Sequence, residues 1–240
     1  MSIINYLPIV STLVVAVFTY FVLHRYAERG GKHLLLWGIG FIMYGLGTLA
    51  EAYLAFGYTP FMIHMWYLFG AVLTPAWLGQ GTIYLLVRRP KVADTLLIVL
   101  TVLSLFTLYW VYRQPTQDAA WNPALTVAAQ YKTVLTRDGL TTALLAIFAT
   151  YGTLALVGGA LYSAFIFWRK RIMPQRVLGN VLIAAGALSP AIGGTFAARG
   201  LADVLFISEL LGAIVMFVGF RLATTQQPMP VADSTSMQTA

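Results

Sequence analysis

Residues 37–84 read WGIGFIMYGLGTLAEAYLAFGYTPFMIHMWYLFGAVLTPAWLGQGTIY, two long apolar runs that meet at Gly57-Tyr58-Thr59-Pro60. Proline suits the first helical position and threonine before it supplies a capping oxygen, so the second run starts as helix at Pro60. A link this short makes the two runs antiparallel neighbours. In the first run Trp37, Gly40, Tyr44, Gly47 and Glu51 recur at intervals of three, four, three and four, which places them on one helix face. In the second, Trp66, Gly70, Leu73, Trp77, Gln80 and Tyr84 do the same. A carboxyl, an amide and several Trp and Tyr side chains on inward-looking stripes are costly in lipid, and residues of that kind mark functional sites.

The rest of the chain has the same character. With 59% hydrophobic and only 10% charged residues, it departs from soluble domains, in which about a quarter of the residues are charged. Apolar runs near 4–24, 33–56, 61–87, 93–113, 140–168, 177–198 and 201–222 each approach the ~20 residues that cross a bilayer core. The expected fold is therefore an all-α integral membrane protein: one seven-helix transmembrane domain over residues 1–222. Residues 223–240, rich in Gln, Pro, Ser and Thr, read as a disordered cytoplasmic tail.

Eleven of the fifteen basic residues (25, 29, 32, 88, 89, 91, 169, 170, 171, 176 and 221) fall at one set of span ends. The positive-inside rule then puts the N-terminus outside and the C-terminus in the cytoplasm of a multi-pass plasma or inner-membrane protein. The net charge of +7 is thus a topological signal directed at the lipid bilayer, and no nucleic-acid partner is expected. The first run lacks a preceding basic region and a small-residue cleavage site, so it reads as a retained span.

Spans one to three and five to seven share a direction. Between them lie the fourth span and a long outer segment from Gln114 to Asp138, which is the arrangement a duplicated three-helix unit needs. Bringing Gly70 onto Gly212 also brings Leu46 onto Leu188, although it puts Glu51 on Gly193. This 3+1+3 layout is similar to that of small-solute carriers of the sugar and vitamin classes and to that of microbial rhodopsins. The rhodopsin likeness fails on chemistry: at mid-depth the seventh span has Glu209, Leu210, Leu211 and Gly212, with no lysine for a retinal Schiff base.

Several chemistries drop out. The absence of cysteine removes disulfides, thiolate catalysis and iron–sulfur ligation. His24 and His33 lie at the inner end and His64 at the outer, so no metal or bis-His haem site is expected, and no cofactor is implied. Gly45-Leu46-Gly47 and Gly79-Gln80-Gly81 sit inside spans and lack the strand that precedes a nucleotide loop. A lipid-modifying enzyme would need an acid beside a histidine, which only Glu51 with His64 offers, so an enzyme is the less favoured class.

The remaining candidates divide by depth. Glu51 lies about six residues before the 57–60 turn and His64 about five after, so the two are expected level with each other and able to pair. Tyr67, Arg199, Asp203 and Glu209, which lies about two turns into the seventh span, complete an outer vestibule. Pro75 frees the carbonyl of Ala71 and bends the third span toward an inner group of Trp77 and Gln80, with Tyr44, Trp37, Tyr84 and Asn180 nearby. The expectation is a protein that binds or carries a small solute, with Glu51 and Glu209 taking a proton or cation and Tyr44, Trp77 and Gln80 touching solute. The alternative is a non-catalytic subunit or sensor that docks on a membrane-protein partner, or on a second copy, through glycine faces such as Gly40 and Gly47.

Overall fold

A computed structural model describes residues 3–197 and 199–224. The tail expected over 223–240 lies outside the described residues from 225 onward. A 3-10 turn at Ile3–Tyr6 leads into α1 (Leu7–Arg29), followed by α2 (Lys32–Leu54), α3 (Pro60–Leu86), α4 (Pro90–Arg113), a short α5 (Val127–Val134), α6 (Gly139–Arg169), α7 (Pro174–Ala197) and α8 (Asp203–Thr224). All of these except α5 are long and apolar enough to cross a membrane, which makes seven candidate spans.

The boundaries follow local chemistry. Pro60, Pro90 and Pro174 each open a helix, where a missing N–H costs nothing. The Thr59 hydroxyl accepts from the Met62 N–H at 3.2 Å, and the Asp138 carboxylate accepts from the Thr141 N–H at 2.7 Å. The first loop is shorter than expected. α1 runs on through His24 to Arg29, and the turn is confined to Gly30 and Gly31, whose φ values of 66° and 101° favour glycine.

Six spans close into a ring in the order α1, α2, α3, α6, α7, α8 and back to α1, while α4 packs outside on α3 and α6. α3 is the most enclosed span and α4 and α7 the least. Helices approach closely where glycine replaces a side chain. A Cβ on Gly47 would stand 2.6 Å from the Gly70 Cα, so the α2 and α3 backbones touch. Gly186 and Gly212 do the same for α7 and α8, with 2.7 Å from either notional Cβ to the other residue's carbonyl oxygen.

α3 is not a uniform helix. Residues Trp66–Leu73 form a π-helical stretch just before Pro75, and the Thr74 hydroxyl donates to the Phe69 carbonyl at 2.5 Å. A widened turn shifts everything after it by about 100°, one residue's rotation. The stripe read as one face is therefore two: Trp66 looks toward α2, while Trp77, Gln80 and Tyr84 look toward α4 and α6.

The segment from Gln114 to Asp138, expected on the outer side, is folded. α5 buries Val127, Ala128 and Val134, and Leu135 after it, in the same apolar cluster as Trp66, Tyr67 and Leu68, so it lids the bundle. Gln117 donates to the Val134 carbonyl at 2.7 Å, and buried Gln130 bonds the Asn122 N–H (2.8 Å) and the carbonyls of Asn122 (3.0 Å) and Leu125 (2.9 Å).

Candidate functional site

The ring's axis has two halves. Toward the arginine-rich ends, all six ring helices contribute apolar side chains: Phe18, Phe41, Leu78, Leu156, Ile183 and Met216 surround a void of only about 30 Å³. A lining with no polar partner keeps such a space dry. Toward the lid, the axis is polar.

There Glu51, 2% exposed, and Glu209, 9% exposed, come together from α2 and α8 with their carboxyls adjacent. Two carboxylates that close in a poorly solvated space repel, so a proton shared between them is favoured. The Trp66 indole N–H donates to Glu51 Oε1 at 3.1 Å, and the Tyr44 hydroxyl donates to the Glu209 backbone carbonyl at 2.9 Å. Among the described residues, no amide, hydroxyl or indole donor reaches the buried Oε2 of Glu209, and the buried hydroxyls of Ser11 and Tyr67 have no hydrogen-bond partner. These atoms sit on α8, α1 and α3 roughly 5–10 Å in from the lid ends of their helices, by residue count. Buried polar atoms without partners are uncommon and mark places where another polar species fits.

No family model, curated protein or solved structure matches the chain. What the site does must therefore be read from its own geometry.

Three expected placements need correction. His64 does not pair with Glu51. Its Nδ1 lies 2.6 Å from the Pro60 carbonyl, its Nε2 lies 3.0 Å from the Gln114 carbonyl, and its ring stacks on Tyr112 at 5.4 Å, so it ties α3 to the end of α4. This removes the acid–histidine pair that a hydrolytic reading needed. Arg199 and Asp203 are exposed at the turn between α7 and α8 while the two acids are buried, and among the described residues Arg199 forms no ion pair with either acid. Finally, Trp77 and Gln80 are engaged away from the axis. Trp77 donates to Ser104 Oγ at 3.1 Å, and Gln80 donates to the Ala93 carbonyl at 2.9 Å while accepting from the Tyr151 hydroxyl. They fasten α4 and α6 to α3.

The structure also adds residues. Trp66 was on the stripe, but nothing in the spacing singled it out as the partner of Glu51. Tyr131 and Arg137, in the outer segment, had no periodicity to reveal them. The Tyr131 ring meets Trp66 edge-on at 5.4 Å, and the Arg137 guanidinium lies 5.0 Å over Tyr131 and beside the Tyr67 hydroxyl. The lid thus rests on Trp66, the indole that bonds Glu51.

At the lid end Tyr58 stacks on Trp121 at 4.7 Å and donates to Asp118 Oδ1 at 2.6 Å, where the Thr116 hydroxyl also donates at 2.6 Å. The Thr116 and Tyr58 hydroxyls hold the Asp118 carboxyl below its usual range. Partial burial, then the bond to Asp118, pushes the Tyr58 phenol up to about 12.

Proposed function

We propose that this protein is a proton-coupled membrane carrier of a small polar solute, oriented with its arginine-rich ends in the cytoplasm, in which Glu51 and Glu209 share the coupling proton. The observation that carries this reading is that the two carboxyls come from different halves of the ring. α2 belongs to the triplet α1–α3 and α8 to the triplet α6–α8, with α4 set apart. The arrangement resembles what alternating access between two three-helix units requires, with a binding site where the units meet.

The chemistry follows from charge. With one shared proton the pair is a hydrogen bond holding the halves together. When that proton leaves, two adjacent carboxylates repel in a poorly solvated space, and that repulsion favours separation of α2 from α8. A proton suits the donor set better than a metal cation, because the Trp66 N–H already points at Glu51 Oε1 and a cation needs oxygens on every side.

Infrared spectroscopy of the protein in proteoliposomes tests the core of this. The wild type should show a protonated carboxyl stretch that shifts in D₂O and is lost in both Glu51→Gln and Glu209→Gln. Uptake of a solute panel driven by a pH gradient should fail in the same two variants. A carboxyl band that survives in both, or is absent from the wild type, overturns the assignment.

The alternative, a subunit or sensor docking through glycines, loses its named surface. A Cβ on Gly40 would meet Leu78 at 2.7 Å, and Gly47 lies against Gly70, so both faces are filled by this chain's own α3.

A further inference from the structure

At the arginine-rich end a cleft of about 300 Å³ opens in the seam between α1 and α8, lined by Phe21, Arg25, Glu28, Arg29, Phe220 and Arg221, with His24 and Thr224 at its edge. We propose that this cleft binds the phosphate of an anionic lipid headgroup.

The charge is the first argument. Three arginines and one glutamate line the cleft, a balance of +2 before the nearby Arg176 is counted. Among the described residues Glu28 is the one acid of that lining, and its Oε1 lies 3.3 Å from Nε2 of His24, one turn back on α1. Four guanidiniums held in one neighbourhood repel one another, and a phosphate relieves that repulsion while offering planar donors the geometry they match best. Two of the arginines are also held in position. Arg25 Nη2 donates to the Thr224 carbonyl at 2.9 Å, and Arg221 lies 4.9 Å over the Phe21 ring.

Location favours a lipid over a soluble phosphate ester. The cleft lies within the last turns of two spans, at headgroup depth, and basic pockets between spans at that level recognise anionic headgroups. Its walls include Phe21 and Phe220, and below it α1 presents Leu13, Val17 and Tyr20 at 63%, 49% and 63% exposure, a continuous apolar stripe along which an acyl chain can lie. This inference stands apart from the carrier reading, since it uses neither acid nor the axis.

The test measures lipid retention by native mass spectrometry of the full chain in a zwitterionic detergent, with phosphatidylglycerol or phosphatidylcholine as the probe. The wild type should retain phosphatidylglycerol selectively. Arg29→Gln with Arg221→Gln should weaken that retention by about fivefold per charge, roughly 25-fold for the pair, and Arg29→Lys with Arg221→Lys should restore most of it. Arg88→Gln with Arg89→Gln, basic residues of the same end but outside the cleft, should leave it unchanged. If the double glutamine variant folds poorly, Arg29→Gln alone, at an exposed position, should still show the fivefold loss. Equal retention by the cleft and loop variants overturns the proposal. So does displacement of the lipid by inorganic phosphate at matching concentration, which would make this a site for soluble phosphate.

Discussion

Substituting Gly47 with alanine tests the helix contact on which the acid pair depends. A Cβ there would stand 2.6 Å from the Gly70 Cα, 2.7 Å from the Gly70 nitrogen and 3.3 Å from the Phe69 carbonyl carbon. Carbon contacts are comfortable from about 3.5 Å, and all three obstacles are backbone, so α2 and α3 must part by nearly an ångström. The converse substitution is different. A Cβ on Gly70 would find only the Gly47 Cα at 3.8 Å and Trp66 Cδ1 at 3.9 Å, which is ordinary contact. Overpacking costs about 1–3 kcal/mol; with only backbone in the way the cost falls in the upper part of that range, about 2–3 kcal/mol, of which alanine's helix preference offsets about 1 kcal/mol. Gly47→Ala should therefore lower the melting temperature by roughly 2–8 °C, at about 2–4 °C per kcal/mol for a chain of this size, whereas Gly70→Ala should leave it level or slightly raised. Thermal unfolding in detergent followed by circular dichroism reads this directly. Because Gly47 lies one turn before Glu51, the displaced variant should also lengthen the bond from Trp66 and shift tryptophan emission. Equal losses from the two alanines, or none from Gly47→Ala, would refute the described α2–α3 contact.

Two predictions concern the lid. Asp118 has a folded-state pKa below its ordinary 3.8, so its stabilising bonds are present above that value and are lost as pH falls through the lower one; Tyr58, raised to about 12, contributes fully below about pH 10 and loses its contribution as pH climbs toward 12. Emission from Trp121, stacked on Tyr58, should change at both limits, and Asp118→Asn should abolish the acid transition. Gln130→Ala removes three bonds to the Asn122–Leu125 turn, a loss of about 2–4 kcal/mol once the orphaned amides are included; limited proteolysis between residues 115 and 126 should speed up tenfold or more, and an unchanged digest would show that the turn is held by something else.

The spans were legible because membrane crossing depends on run length and apolarity, both local properties. The expected 33–56, 61–87 and 140–168 became Lys32–Leu54, Pro60–Leu86 and Gly139–Arg169, with prolines opening helices where their missing N–H suggested. The stripe on α2 was also legible, because α2 is an unbroken α-helix and its period carries from Trp37 to Glu51. The stripe on α3 was not. A period of 3.6 holds only while the helix does, and the π-helical stretch at Trp66–Leu73 rotated Trp77 and Gln80 away from Glu51. His64 misled for a related reason: depth counted along a helix says how far a residue lies from the membrane surface but not which neighbour it faces. Glu209 could be placed at the right depth, but its contact with Glu51 joins residues far apart in sequence, which no local pattern encodes.

That split in α3 gives the acid pair a route to the lid. Trp66 can donate to Glu51 because the widened turn lets the first half of α3 face α2 while the second half stays fastened to α4 by Trp77 and Gln80. The other side of the indole rests against Tyr131, which Arg137 covers in turn. On the carrier reading, a change of charge at Glu51 alters the strength of the Trp66 bond, since a carboxylate accepts an N–H more strongly than a neutral acid does. Any movement of the indole is then transmitted to the lid through its contact with Tyr131. The proton that governs whether the two halves of the ring attract or repel would thus also set how firmly α5 closes over them.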